Sequence, residues 1–393
     1  MESYKKINGP INIIRLEGKI FGIKKILYLF FDKHLPVQQQ TKCQDYLSDD
    51  VVVYLNREFR KIKDKNIDFF IEIAHEYKSI DNYINDKYKN RYVDDDIYKD
   101  RYIDEIIKFF YKYIERQDDK TTGTKISNHV RFHYVDIRNY IRKYFSDNID
   151  ELMNVDKILV QGILQIKPIN KLNSAIKITK KILDNIDILI KIINNPNLND
   201  QVNDKDLVKL NYIIDKIKNK YNHSELKKPM DELLNIFINY LNNIKNNLII
   251  LDNNLHELIN VITNKSVINI DIENIVKQTK KIIDNIYVDY VETFCSLMDI
   301  YFLRRILDKD YITHCVSYTG GAHSLEYIYF LVRNFDFTIT HAAKIKGKYT
   351  LDKINSELKK NKSININYLW NIFLPNDDIL QCSDLSTFPN NFD

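Results

Sequence analysis

Four apolar runs, each closed by a polar cluster, constrain this chain more than any other feature. They are Ile26–Phe31 before Asp32-Lys33-His34, Ile67–Ile71 before Glu72 and His75-Glu76, Val130–Val135 before Asp136-Ile137-Arg138, and Tyr311–Tyr318 before Thr319-Gly320-Gly321-Ala322-His323. Short apolar runs bounded by polar and turn residues read as strands buried on both faces, and such strands belong to parallel sheets covered by helices. An open α/β sheet gathers its ligands at the carboxyl ends of its strands. Side chains far apart in the chain are then brought to one crevice.

The pattern between these runs predicts the remaining elements. Strands are expected at Ile11–Leu16 and Ile23–Phe31, with a turn containing Gly18 and Gly22 between them. A helix follows from Ser48 to Lys61, capped by Ser48 or Asp49. After a strand at Ile67–Ile73, the segment from Ile80 to Glu115 reads as a loop and a surface helix through Ile103, Ile106, Ile107, Phe110 and Ile114. Val130–Val135 is the next strand, and a helix runs on through Tyr140, Ile141, Tyr144 and Phe145. Strand and helix in alternation predict parallel βαβ units with right-handed crossovers.

The texture changes between Ile149 and Leu307. Only Gly162 remains of the glycines, and apolar residues recur every three or four positions, as in Ile182, Ile186, Leu189 and Ile193. This is an all-helical insertion, broken at Asn195-Pro196-Asn197 and near Lys228-Pro229. Strict heptads are not evident over a long span, which disfavours a coiled coil. The Asn-rich stretch from Asn194 to Asp206 has the composition of disorder. The chain then returns to a strand at Tyr311–Tyr318, a turn at Gly320-Gly321, a helix at Ser324–Phe335 and a short strand at Phe337–Thr340; the tail after Pro375 is expected to be loosely held. The expected fold class is α/β: a mostly parallel sheet with flanking helices, interrupted by a long all-helical insertion. Residues 1–148 and 309–393 would form the split α/β domain and residues 149–308 the insertion.

Composition narrows the function classes. Hydrophobic residues make up 44%, enough for a packed core, and 8 glycines and 7 prolines exclude collagen-like or linker-rich architecture. The abundance of Lys, Asn and Ile fits an A+T-rich coding sequence, so runs of Lys or Asn carry little weight. The net charge is only +4, from 58 basic against 54 acidic residues, and the two signs alternate as in Lys61-Ile62-Lys63-Asp64-Lys65. That pattern argues against a nucleic-acid groove. Cys43, Cys295, Cys315 and Cys382 form no close pairs, so reduced thiols are expected in place of a disulfide framework or zinc knuckle. Met1-Glu2-Ser3-Tyr4-Lys5-Lys6 is polar with no signal-peptide region after it, and no run is long enough to cross a bilayer. A soluble intracellular protein is expected.

Among the strand ends, Tyr318-Thr319-Gly320-Gly321-Ala322-His323-Ser324 is the strongest signal. Paired glycines permit close approach of a ligand, and the helix after them offers free N–H groups. His323 would ligate a metal or transfer a proton there; a plain strand-to-helix turn is the structural alternative. The segment lacks the Gly-Lys-Ser/Thr of a P-loop and the glycine flanks of a nucleophile elbow. Asp32 and His34, two apart at a strand end, point to the same side and could share one metal or one water. Glu72 would be a third ligand or a general base, or else the partner of a basic residue. Asp136 and Arg138 could pair with each other, or Arg138 could hold an anionic substrate group. His75 and Glu76 are looser candidates for the role of Glu72, whereas His133, within its strand, and His129, His223, His256, His314 and His341 read as structural or exposed.

Asn8–Gly18, Phe31–His34, His133–Arg138 and Tyr318–His323 resemble an uncharacterised protein family of giant nucleocytoplasmic DNA viruses, mimivirus relatives among them. This implies a viral setting, in host cytoplasm or virion, without naming a reaction. More distantly, a first strand ending in His34, a second ending in Glu72 and the late Gly320-x-x-His323 look like the TraB/TIKI and erythromycin-esterase-like superfamily. Some of those proteins are metal-dependent hydrolases with a helical insertion.

The leading expectation is a hydrolase with His34, Glu72, His323 and Arg138 in its active site, acting on a small molecule or peptide. Asp32, His34, Glu72 and His323 would hold a divalent ion such as Mn²⁺, Zn²⁺ or Co²⁺. Its rival is a non-catalytic virion-associated or partner-binding protein that uses the helical insertion for virion proteins or self-association.

Overall fold

The computed structural model describes residues 5–35, 37, 43, 47–74, 101–111, 127–142, 144–145, 148–149, 151–153, 168–195, 204–263, 272–374 and 380–393. They divide into two compact units, Met1–Asp136 with Arg305–Asp393, and Ile137–Arg304. His75, Glu76, the expected loop after Ile80 and most of the Asn-rich stretch lie outside the described residues.

The first unit is built on a six-stranded sheet. Its strands in chain order are β2 (Asn12–Ile20), β3 (Ile23–Asp32), β5 (Ile67–Ala74), β6 (Val130–Asp136), β7 (His314–Gly320) and β8 (Thr338–Ala342). They lie in the order β6-β5-β7-β3-β2-β8. Pairings β5 with β6, β5 with β7 and β3 with β7 are parallel, whereas β2 pairs antiparallel with both β3 and β8. The sheet is therefore mixed, where the sequence predicts a mostly parallel one. The cause is the connection between β2 and β3, which is only Phe21 and Gly22, both at positive φ (49° and 82°). Two left-handed residues close a hairpin and leave no room for a crossover. A second, three-stranded sheet joins β1 (Lys6–Asn8) between β4 (Asp49–Asp50) and β9 (Cys382–Asp384).

Period-two alternation sorts the strands onto two faces. On one face, Phe69 of β5 and Phe132 of β6 meet Phe59 of α1 (Val51–Lys61) and Phe110 of α2 (Tyr102–Tyr111), with ring centroids 5.1 to 5.8 Å apart. Each such ring, fully buried, stabilises the fold by about 1.5–3 kcal/mol. The α2 helix is thus packed through Ile103, Ile106, Ile107 and Phe110, where a surface helix was expected. Helix α1 begins after Asp50, without a side-chain cap bond, because Asp49 and Asp50 pair with Ile7 and Asn8 as strand.

The second unit is helical, as its periodicity predicts. It holds α3 (Pro168–Asn194), α4 (Lys205–Asn219), α5 (Lys227–Thr263) and most of α6 (Ile272–Asp308). The buried residues of α5 are Met230, Leu234, Phe237, Leu241, Ile244, Leu248, Leu251, Leu255 and Leu258. Their spacing alternates four and three without a break, a heptad stripe that the intervening Ile and Asn residues mask in the sequence. Asn254 of α5 donates to Thr279 of α6 at 3.4 Å, while Asn243 of α5 bonds Asp289 of α6, so these two helices run antiparallel.

Back in the first unit, β7 ends at Gly320 and α7 (Gly321–Asn334) starts at the next residue. Gly320 and Gly321 are the last strand residue and the first helical one; the separate turn expected there does not exist. Helices α8 (Leu351–Lys360) and α9 (Asn367–Phe373) follow β8. From Leu380 onward, the part of the expected loose tail that the structure describes is instead fixed. Its β9 pairs with β1, Phe388 and Phe392 are buried, and Phe392 meets Tyr28 edge-on at 5.1 Å. Cys43 and Cys382 form a disulfide with Cα atoms 5.0 Å apart, correcting the expectation of reduced thiols throughout. Cysteines 339 positions apart cannot be matched from spacing.

Candidate functional site

Strand register decides what meets at the carboxyl edge of the sheet. Asp32 lies opposite Gly320 in the β3–β7 ladder, and Ile71 lies opposite Tyr318 in the β5–β7 ladder. The ends of β3, β5 and β7 are therefore level, which places Asp32, Glu72 and Gly320 side by side.

Asp32 is buried and accepts from the Tyr318 hydroxyl at 3.2 Å and from the His34 backbone N–H at 3.0 Å. The second bond turns the chain back on itself. His34 takes φ of 54°, a left-handed conformation that costs a non-glycine residue roughly 1–2 kcal/mol. Its ring comes to lie with Nδ1 2.5 Å from Asp32 Oδ2 and Nε2 3.5 Å from Glu72 Oε2. Glu72, also buried, accepts from the Gly320 N–H at 3.0 Å.

Gly320 shows how tightly these groups converge. A Cβ there would stand 2.9 Å from His34 Nε2, 3.5 Å from His323 Cδ2 and 3.7 Å from Glu72 Oε2. Three of the sequence-predicted side chains thus surround one point, and only glycine leaves it open. His323 is buried in the first turn of α7, one residue before Ser324, whose hydroxyl meets that of Thr319 at 3.1 Å.

Burial opposes the charge on His34, but the Asp32 and then the Glu72 carboxylate outweigh it and raise its pKa to about 9. The imidazole is therefore cationic at neutral pH, flanked by a carboxylate on each nitrogen. The Tyr318 hydroxyl is held well above its ordinary value, first by burial and then by the Asp32 carboxylate it bonds. The His34 imidazolium can hold and deliver a proton at Nε2, on the side facing Glu72. Among the described residues, no three His, Cys, Asp or Glu side chains are arranged to hold a metal ion.

Arg138 belongs to the other unit, where its carbonyl receives the first helical bonds, from Ile141 and Arg142 at 3.0 Å. Asp136 ends β6 in the first unit.

Sequence reasoning missed a second buried cluster at the opposite end of the strands. Arg131 grips Asp68 with two bonds, of 2.8 and 2.6 Å, and His133 Nε2 lies 2.6 Å from the same carboxylate. Arg305 Nη2 donates to His133 Nδ1 at 2.7 Å. A guanidinium only donates, so the His133 proton sits on Nε2, toward Asp68. Burial, with Arg305 adding to it against the Asp68 bond, lowers the His133 pKa to about 4. The signal was an aspartate inside the apolar run Ile67–Ile71, beside a strand in which Arg131 and His133 alternate with apolar residues.

The chain is similar along its whole length to viral proteins. Uncharacterized protein R706 of Acanthamoeba polyphaga mimivirus is 33% identical, over 99% of this chain and 97% of its own. Uncharacterized proteins R161 and R160 of the same virus are each 30% identical, over 98% and 100% of this chain and 98% of their own. No solved structure matches. With a family model matching residues 5–393, the chain belongs to the family of unknown function DUF5847.

Proposed function

We propose that the carboxyl ends of β3, β5 and β7 form a hydrolytic site in which His34 and Glu72 act as an acid–base pair. The observation that carries this reading is the meeting of His34, Glu72 and His323 around Gly320. Asp32 orients the His34 ring and supports its charge; His34 donates a proton to the departing group from Nε2. Glu72, held by the Gly320 N–H, takes a proton from the attacking water. General acid–base action of this kind supplies about 10²–10⁴ in rate. His323 lines the same opening and positions the substrate. The distant likeness to metal-dependent hydrolases points the same way.

A metal-assisted form of the reaction has its own supporting observation. The 3.5 Å between His34 Nε2 and Glu72 Oε2 suits two ligands of one ion with bonds of about 2 Å. Asp32 on Nδ1 is also the kind of carboxylate that orients a metal-bound histidine. His34 and Glu72 would then hold a divalent ion, with His323 or Asp32 completing the set, and the ion would supply Lewis acidity and an acidified water. The His34 proton must leave first, so this form gains with rising pH.

The test is a panel of ester, amide and phosphoester substrates, assayed with and without Mn²⁺, Zn²⁺ and Co²⁺, on the wild type, His34→Ala and Glu72→Gln. Turnover lost in both variants supports the site, and metal bound by the wild type alone selects the metal-assisted form. A folded wild type with neither turnover nor metal defeats the reading and favours the non-catalytic, partner-binding alternative.

A further inference from the structure

We infer that the surface carried by residues 344–362 binds single-stranded nucleic acid. Those residues hold seven lysines and two acids, Asp352 and Glu357, so this short stretch exceeds the +4 of the whole chain. Averaged over 393 residues the basic charge is hidden by interleaved acids; folded, it is concentrated between β8 and α9.

Lys344 and Lys359 are engaged by the Leu380 carbonyl and by Asp336, and the structure presents the other five lysines to solvent on a fixed frame. Lys346, Lys348, Lys353, Lys360 and Lys362 are all exposed. The Lys346 N–H is bonded to the Ile372 carbonyl at 3.0 Å, and Gly347 at φ of 75° turns the chain so that Lys346 and Lys348 flank it. Thr350 caps α8 by accepting from the Lys353 N–H at 3.3 Å. Lys353 and Lys360, seven residues apart, share one face of that helix. Lysines carried on an ordered backbone lose less freedom on meeting phosphates than lysines on a free tail.

An aromatic platform lies within the basic field. Tyr349 is 38% exposed, stands edge-on to Tyr368 at 5.8 Å, and has the Lys353 ammonium 5.7 Å from its ring centre. Exposed aromatic rings among phosphate-binding cations suit unpaired bases, which stack on them without regard to sequence. A lipid surface fits less well, since membrane-surface binding also calls for exposed apolar side chains to bury. Tyr349 is the one exposed large hydrophobic residue among 344–362.

The experiment is fluorescence anisotropy of the full chain with a labelled oligothymidylate, and with the same strand in duplex, across a salt series. Single-strand binding should weaken with salt with a log–log slope of about −3, the value for four phosphates neutralised at about −0.7 each. Lys346→Glu/Lys348→Glu/Lys353→Glu should lose at least about ten-fold in affinity and flatten that slope. Tyr349→Ala should weaken single-strand binding more than duplex binding. A milder Lys346→Ala/Lys348→Ala/Lys353→Ala variant of wild-type thermal stability keeps the test valid should charge reversal disturb the fold. No binding by the wild type at low salt, or unchanged affinity in both triple variants, overturns the proposal. So does capture by phosphatidylserine vesicles, lost in the same variants, without oligonucleotide binding. His34→Ala should bind as the wild type does, which keeps this outcome separate from that of the hydrolytic site.

Discussion

His34 and Asp32 are joined twice through one oxygen: Asp32 Oδ2 takes the His34 backbone N–H at 3.0 Å and lies 2.5 Å from the ring Nδ1. The bond that bends the chain also sets the direction of the imidazole. The His34 charge should therefore depend on Asp32 more than on any other residue. Nitrogen-detected NMR should find His34 titrating near pH 9 in the wild type and moving down toward 6.5 in Asp32→Asn. Because the folded pKa is raised, the stabilisation is complete below about pH 6.5 and disappears as pH rises through 9. Thermal unfolding should show that alkaline loss in the wild type and a flatter profile in His34→Gln. Identical profiles in the two would contradict the assigned pairing.

His133 predicts the opposite window. Its folded pKa is depressed to about 4, so neutral His133 favours the fold above about pH 6.5, and that advantage is lost as pH falls toward 4. The shift corresponds to about 3 kcal/mol at full effect. Urea unfolding of the wild type should weaken between pH 6.5 and 4 more than that of His133→Phe at the same pH values. Asp68→Ala, which leaves buried His133 and half-buried Arg131 without their carboxylate, should cost about 3–5 kcal/mol.

Gly320→Ala should spare the fold and spoil the site. The added methyl would fall 2.9 Å from His34 Nε2, and the one-third exposed His34 ring can swing aside. The stability cost should stay within the roughly 1–3 kcal/mol of an overpacking change, while the His34 pKa drops as its ring leaves Glu72. By contrast, Gly321→Ala meets Leu374 Cδ1 at 2.6 Å, inside packed structure. It should lower the melting temperature with little effect on His34. A wild-type His34 titration in Gly320→Ala would refute the crowding.

The Cys43–Cys382 bond can be counted chemically. Thiol titration of denatured, unreduced protein should find two groups, Cys295 and Cys315, and four after reduction. Cys382→Ser should lower stability by about 2–4 kcal/mol, read by calorimetry without reductant. Four thiols before reduction would rule the bond out.

Which parts were legible in the sequence follows from how local each signal is. The apolar runs marked β3, β5 and β7 to within a few residues, because burial on both faces leaves a continuous stripe, whereas β6, at the sheet edge, shows as buried residues alternating with half-exposed ones. Asp32, Glu72 and His323 were readable for the same reason: a carboxylate or imidazole closing such a stripe lies at the sheet edge. Gly22 marks a turn in the sequence, but the turn's length, and so the antiparallel pairing of β2 with β3, depends on Phe21 also adopting positive φ. The Asp68–His133 pair is not legible in the sequence because it lies inside its strands, where a polar residue signals only once its cross-strand partner is known. The buried C-terminal segment was illegible because Phe392 acquires meaning only against Tyr28, far away in the chain.

The direct passage of β7 into α7 makes the site intolerant of a change in residue count. Each residue inserted or deleted between Tyr318 and His323 would rotate the helix by about 100°, sending His323 around its axis and away from Gly320. Relatives that keep this chemistry should therefore keep the number of residues from the Tyr318 position to the His323 position fixed.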